Sequence, residues 1–153
     1  MCMRERIAQA MKDALKSKDQ ATLSTIRLIV AALKDRDIAA RSDNNHDGIS
    51  DDEILSMLQT MIKQRNESAK MYEDGGRPEL ADAEKAEIVL IQQFLPEQLS
   101  KDDIEKAITE AIAQTNAASI KDMGKVMAHL KEQHAGQMDF SAASQMVKAA
   151  LMG

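Results

Sequence analysis

Glycine and proline are almost confined to the breaks in this chain. There are six glycines and two prolines in 153 residues. Between them, apolar residues recur every three or four positions, and no stretch alternates with period two for long. A period near 3.6 marks an amphipathic helix, and a period of two a half-buried strand. The pattern therefore predicts an all-α fold of about seven helices. Apolar residues make up 44% of the chain, enough for a packed core, so global disorder is excluded.

The helix boundaries carry their own signals. The first helix is expected over about Met3 to Lys16, with Ile7, Ala10, Met11, Ala14 and Leu15 inward. The second starts after Asp19, an N-cap residue, and runs to about Arg41 on a stripe of Leu23, Ile26, Ile29, Val30 and Leu33. Ser50-Asp51-Asp52-Glu53 is a capping box that opens the third. Gly75-Gly76 ends that helix near Tyr72. Pro78 suits the first turn of the fourth, which buries Ala81, Ile88, Ile91 and Leu95, and Pro96 stops it. Ser100 caps the fifth, with Ile104, Ile108 and Ile112 inward. Ser119 caps the sixth, which carries Met123, Val126, Met127 and Leu130. The seventh begins near Asp139 and buries Met146, Val147, Ala150 and Leu151. Pro96-Glu97-Gln98-Leu99, a stop followed at once by a new cap, divides the chain. An N-terminal helical domain over residues 1–95 precedes a small three-helix domain over residues 96–153.

Composition removes several functions. The aromatic residues are Tyr72, Phe94 and Phe140 only, too few for a platform that stacks bases on rings. Net charge is −5. The first 95 residues carry net −3 and the rest net −2, so neither part is a basic module and any polyanion contact must be local. No apolar run approaches the length of a membrane span, and the N-terminus has no signal-peptide pattern. Cys2 is the single cysteine, which excludes an internal disulfide and a cysteine-based zinc site. A cytoplasmic protein without membrane association is expected.

Few motifs carry chemistry. Asp43-Asn44-Asn45-His46-Asp47-Gly48 matches the first half of a calcium loop, but the glutamate falls one residue early, at Glu53, and position twelve is Ile54. An Asx-rich turn accounts for the same residues. His129 and His134 are five apart, about 140° round a helix, and with His46 make no ligand set. Glu84 and Glu87 lie one turn apart and read as an acid–base pair or as a solvated face. The eleven methionines read as core filling or as an adaptable surface. No catalytic residue, metal or cofactor is expected.

The basic residues are more informative. Arg27, Lys34 and Arg41 are seven apart and share one drifting stripe. Lys63 and Lys70 repeat the pattern, with Glu67 between them at pairing distance. Arg65 and Arg77 add charge nearby. If the second and third helices pack antiparallel, these form one patch. Otherwise they are ordinary solvated faces. Gly124, inside a helix, costs about 1 kcal/mol against alanine. Close packing within the domain, a partner helix or a phosphate would each offset that.

Several segments together resemble the YqeY-like family. They are Thr25-Ile26-Arg27-Leu28-Ile29, Lys63-Gln64-Arg65-Asn66-Glu67-Ser68, Gly76-Arg77-Pro78-Glu79-Leu80-Ala81 with Glu84 and Glu87, and Phe94-Leu95-Pro96-Glu97-Gln98-Leu99-Ser100. Met123-Gly124-Lys125-Val126-Met127 and Gly136 complete the set. The family is related to the C-terminal tail domain of the B subunit of the tRNA-dependent amidotransferase. The resemblance implies a two-part helical protein and, by analogy with a tail that helps hold tRNA, an accessory that contacts tRNA without its own active site. Arg27, Lys34, Lys63, Arg65, Arg77 and Lys125 are then the candidate phosphate contacts. A helical module that docks on an amidotransferase or an aminoacyl-tRNA synthetase is the alternative. Carbon–nitrogen ligase activity as part of a complex, with glutamine as amido donor, is a further one. The chain departs from the family at Gly136-Gln137-Met138-Asp139-Phe140, where Gly-Lys-Ala-Asp-Gly is common, so a lysine is replaced by Gln137. Glu79 stands where the family often has aspartate.

Overall fold

The computed structural model describes all residues, Met1–Gly153. It has seven helices and no strand: α1 (Met3–Ser17), α2 (Gln20–Arg41), α3 (Asp51–Asp74), α4 (Pro78–Gln92), α5 (Lys101–Gln114), α6 (Met123–Gln133) and α7 (Phe140–Met152). The chain divides into two compact units, Met1–Leu95 and Pro96–Gly153.

Local chemistry sets the helix starts. The Asp19 carboxylate accepts from the Thr22 N–H at 3.1 Å. Ser50 accepts from Glu53 N–H and Ser100 from Asp103 N–H, both at 3.2 Å. Asp139 accepts from the Ser141 N–H at 2.9 Å. Each satisfies a donor that the first helical turn leaves unpaired. Ser119 also caps, but what it opens is a single 3₁₀ turn, Ile120–Asp122, ahead of α6. The Asp122 side chain reaches back to the N–H groups of Ala118 and Ser119. Those two bonds hold its carboxyl below the ordinary range.

In the first unit, α2 lies mainly on α1, and α4 folds back along α3. The core gathers Ile7, Ile26, Ile29, Ile54, Leu58 and Ile91, each at most 2% exposed. Apolar burial of this kind stabilises by roughly 1.5–3 kcal/mol per side chain. The expected inward Leu15 is 53% exposed. It lies about 80° round α1 from Ile7, at the edge of the stripe. Met57 and Thr25 are buried without having been expected there.

Arg4 ties the elements of this unit. Its guanidinium donates to both Asp37 oxygens, at 2.8 and 2.7 Å, and to the Ile49 carbonyl at 2.9 Å. Asp37 also accepts from the Ile49 N–H at 2.9 Å. One fork thus joins α1, α2 and the segment entering α3. Gly48 runs beside it at φ +91°, where an added Cβ would sit 2.5 Å from Arg4 Nη2 and 2.7 Å from Asp37 Oδ1. Both the backbone and the space require glycine here. Arg6 donates to the Gln93 and Phe94 carbonyls at 3.3 and 3.4 Å, placing a cation at the negative end of α4.

In the second unit, α5, α6 and α7 enclose Ala107, Ala111, Val126, Leu130, Ala143 and Val147, with Met138 between them. The α5 seam runs along its alanines. Ile108 is buried, but Ile104 and Ile112, expected inward, are half-buried. Small side chains let the helices approach closely and leave the larger isoleucines at the rim. Ala150, also expected inward, is exposed. The Leu99 N–H donates to the Gln137 carbonyl at 2.9 Å, and Gln98 Nε2 to the Gly136 carbonyl at 2.7 Å.

The Arg4 hydrogen bonds hold the Asp37 carboxyl at about 2, below its ordinary 3.8, with the Ile49 N–H adding to the effect and burial opposing it. A depressed folded value means stability that is complete above 3.8 and lost as pH falls toward about 2. Asp37→Asn is expected to cost about 1–2 kcal/mol at neutral pH. It should also flatten the acid limb of melting temperature against pH. Gly48→Ala is expected to cost more than about 1 kcal/mol from strain and collision together. Thermal melts across pH check both.

Candidate nucleic-acid interface

Arg27 and Lys34 stand on α2 within about 20° of one face and about 10 Å apart along the axis. Both are exposed, and neither belongs to any of the four ion pairs in the chain. Arg41 continues the row, also exposed and unpaired. On α3, Lys63 and Lys70 are exposed and share a face in the same way. The structure resolves the first unit into α1–α2 and α3–α4 pairs, so α2 and α3 are not each other's main neighbours.

Arg65 departs from this company. It lies seven residues after Leu58, on the buried stripe of α3, and about 160° round the helix from Lys63. Its side chain is 15% exposed. Nε donates to Glu87 Oε2 at 2.7 Å, and Nη1 to the Met61 carbonyl at 3.2 Å. Glu87, read from sequence with Glu84 as an acid–base pair or a solvated face, is thereby the counterion that locks α4 to α3. Arg77 sits at the start of α4, with Nε 3.0 Å from Glu79 Oε1 and both side chains over 60% exposed. A solvated pair of that kind holds its cation weakly. Lys85 pairs with Glu73 across the same two helices.

Lys125 belongs to the second unit and is exposed on α6. Its charge adds, behind the two backbone N–H groups, to the lowering of the Asp122 carboxyl. A Cβ built on the neighbouring Gly124 meets nothing within 4 Å. The expected close packing within the domain is therefore not what this glycine serves, because its side faces open space. Gln137, where the family often has lysine, is a structural link. Its Nε2 donates to the Glu97 carbonyl at 3.2 Å, and its Oε1 lies 3.2 Å from His134 Nδ1.

The remaining sequence motifs resolve structurally. Asn45 closes the Asp43–Gly48 loop as an Asx turn. Its amide donates to the Gly48 carbonyl at 2.9 Å, and its Oδ1 accepts from the Asp47 N–H at 3.1 Å. Asn44 takes the left-handed conformation that asparagine tolerates, at φ 63°. His129 and His134 both line a shallow groove of about 380 Å³ between α5 and α6, with Glu110, Gln114 and Gln133. Helical spacing does not foresee this, because α6 ends at Gln133 and His134 is already past it. No three of the histidines, cysteine and carboxylates gather as a metal site.

A family model described as "Yqey-like protein" matches residues 4–151, and the chain belongs to that family. Among curated relatives it is similar to proteins named "Altered inheritance of mitochondria protein 41, mitochondrial". The one from Pyrenophora tritici-repentis is 24% identical over 131 residues, covering 82% of this chain and 70% of the relative. The one from Candida glabrata is 29% identical over 106 residues, covering 68% and 57%. The one from Eremothecium gossypii is 33% identical over 89 residues, covering 58% and 46%. The chain thus spans roughly half to two thirds of the length of these relatives.

Paired and unpaired cations should respond differently to mutation. Glu87→Ala leaves the half-buried Arg65 without its counterion and is expected to cost about 1–2 kcal/mol. Lys63→Ala, on the solvent face, should stay within about 0.5 kcal/mol of the parent. Urea denaturation of the two variants separates them. Equal effects would contradict the assignment of Arg65 to structure.

Proposed function

We propose that this YqeY-like chain is a tRNA-associated accessory protein, with the chemistry of the reaction it serves residing in a partner. The observation that carries the reading is the alignment of exposed cations outside the ion pairs, Arg27 and Lys34 along one face of α2 and Lys63 with Lys70 along one face of α3, with Lys125 exposed in the second unit. Arg77, held only by a solvated pair, joins them when a phosphate competes with Glu79. Arg65 supports the interface indirectly, by fixing the helix that carries Lys63. The resemblance of the chain to the tail domain of the tRNA-dependent amidotransferase supplies the kind of polyanion. The cytoplasm is the proposed compartment.

A second reading is a helical module that docks on an amidotransferase or an aminoacyl-tRNA synthetase. The exposed Leu28 and Ile38 on α2, at 42% and 59%, favour it. Carbon–nitrogen ligase activity would then belong to the complex.

Filter binding with unfractionated tRNA tests the first reading. Neutralising about four phosphates gives a slope of roughly −3 in log affinity against log salt. Lys34→Glu and Lys63→Glu should each weaken binding and flatten the slope by about 1. Absence of binding at low salt would refute the reading.

A further inference from the structure

The core stripe of α2, through Leu23, Ile26, Ile29 and Leu33, accounts for only one side of the helix. The opposite side carries a second regular pattern. Ala21, Ser24, Leu28, Ala31, Asp35 and Ile38 follow one another in steps of three and four, and every one is exposed. Steps of three and four are the a and d spacing of a helix seam. This seam runs about 26 Å along α2, and no other helix of its unit covers it. Its small residues admit a neighbouring backbone, and Leu28 and Ile38 supply the apolar knobs.

The flanks of the seam differ. On one side stand Arg27, Lys34 and Arg41, all at the same heptad position, all exposed and none ion-paired. On the other side are Thr25, buried, Ala32, half-buried, and Ala39, exposed, all neutral, with the exposed Arg36 just beyond them. Residues at these flanking positions choose the partner of a helix seam by charge. A second copy of the chain is a poor occupant. In an antiparallel pairing the two basic rows would meet, and in a parallel pairing each would face neutral residues and Arg36. A nucleic acid would use the cations but gain nothing from Leu28 and Ile38.

We infer that the outer face of α2 is a docking seam for an amphipathic helix of a protein partner whose facing flank is acidic. Asp35, the one charge within the seam, fixes the register, as a polar residue at an a position does. The inference rests on the docking reading and names its surface. With α2 occupied, Lys63, Arg77 and Lys125 remain for nucleic acid.

The experiment uses the full chain and labelled synthetic helices of about three heptads, with alternating leucine and alanine at the seam. One peptide carries glutamate on its flanks, a second carries lysine, and unstructured polyglutamate is the third probe. Fluorescence anisotropy should show binding of the glutamate helix alone. Leu28→Asp and Ile38→Asp, at exposed positions that leave the melt unchanged, should each weaken it about tenfold or more. The double variant Arg27→Glu, Lys34→Glu should switch preference to the lysine helix. Lys63→Glu should leave peptide binding intact while it weakens tRNA binding. If polyglutamate or the lysine helix binds as well as the glutamate helix, the assignment is wrong. If the glutamate helix binds regardless of Leu28→Asp, docking survives but this seam is not its site. If Leu28→Asp instead turns a dimer of the chain into a monomer and no peptide binds, the seam belongs to a second copy and the assignment fails.

Discussion

The fork between Arg4 and Asp37 is the contact on which the first unit depends. Helices α1 and α2 meet through apolar stripes, and such stripes slide and rotate at small cost. A bidentate guanidinium–carboxylate pair does not, because both hydrogen bonds are lost together when the planes move apart. The same guanidinium reaches the Ile49 carbonyl while Asp37 takes the Ile49 N–H, so the fork also fixes where α3 begins. Ser50 then caps α3 from a position already set. Gly48 lets the backbone pass close enough for this to happen. The segment that looks most like a metal loop in sequence thus supplies, at Gly48, the close passage beside this fastening.

Positive charge has two uses in this chain, and helix geometry separates them. Arg65 points along the buried side of α3 and is matched by Glu87. Lys63, two residues earlier, points the other way and is matched by nothing. A guanidinium suits the first role because it is planar and more weakly hydrated than an ammonium. A lysine suits the second because its charge stays in water on a flexible stem. Arg4 and Arg6 follow the same division, both held against carbonyls or a carboxylate at helix ends. The cations left over are those on solvent-facing stripes, which any polyanion or acidic surface meets first.

Much of the fold could be read from the residues because it rests on local chemistry. Asp19, Ser50, Ser100 and Asp139 cap the helices that begin after them, and these caps need no knowledge of the rest of the chain. What sequence conceals is contact across distance. Arg4 and Asp37 are 33 residues apart and Arg65 and Glu87 are 22 apart, and no periodicity links them. Rotation is equally hidden. The α5 stripe of isoleucines predicts a seam one residue away from the alanine seam observed, because packing favours close approach over side-chain size. Among the candidate site residues, Arg65 had a legible signal in its spacing from Leu58. The exposure of Lys63 and the open side of Gly124 depend on neighbours that only the folded chain supplies.

The stripe on the far side of α2 raises a question of constraint. A helix with one buried face is free to fill its outer face with any soluble residues, and glutamate and lysine are the usual choices for helix propensity and solubility. Helix α2 instead keeps a spaced series of small and apolar residues there, with one carboxylate. Its exposed cations border that series, with Arg27, Lys34 and Arg41 along one flank and Arg36 on the other. Neither feature belongs to the core stripe of the helix. Isolated exposed apolar residues are common on any protein, but here spacing and charge follow the same axis. A surface organised in two independent respects along a single helix is better explained by something that lies along that helix than by the demands of the fold beneath it.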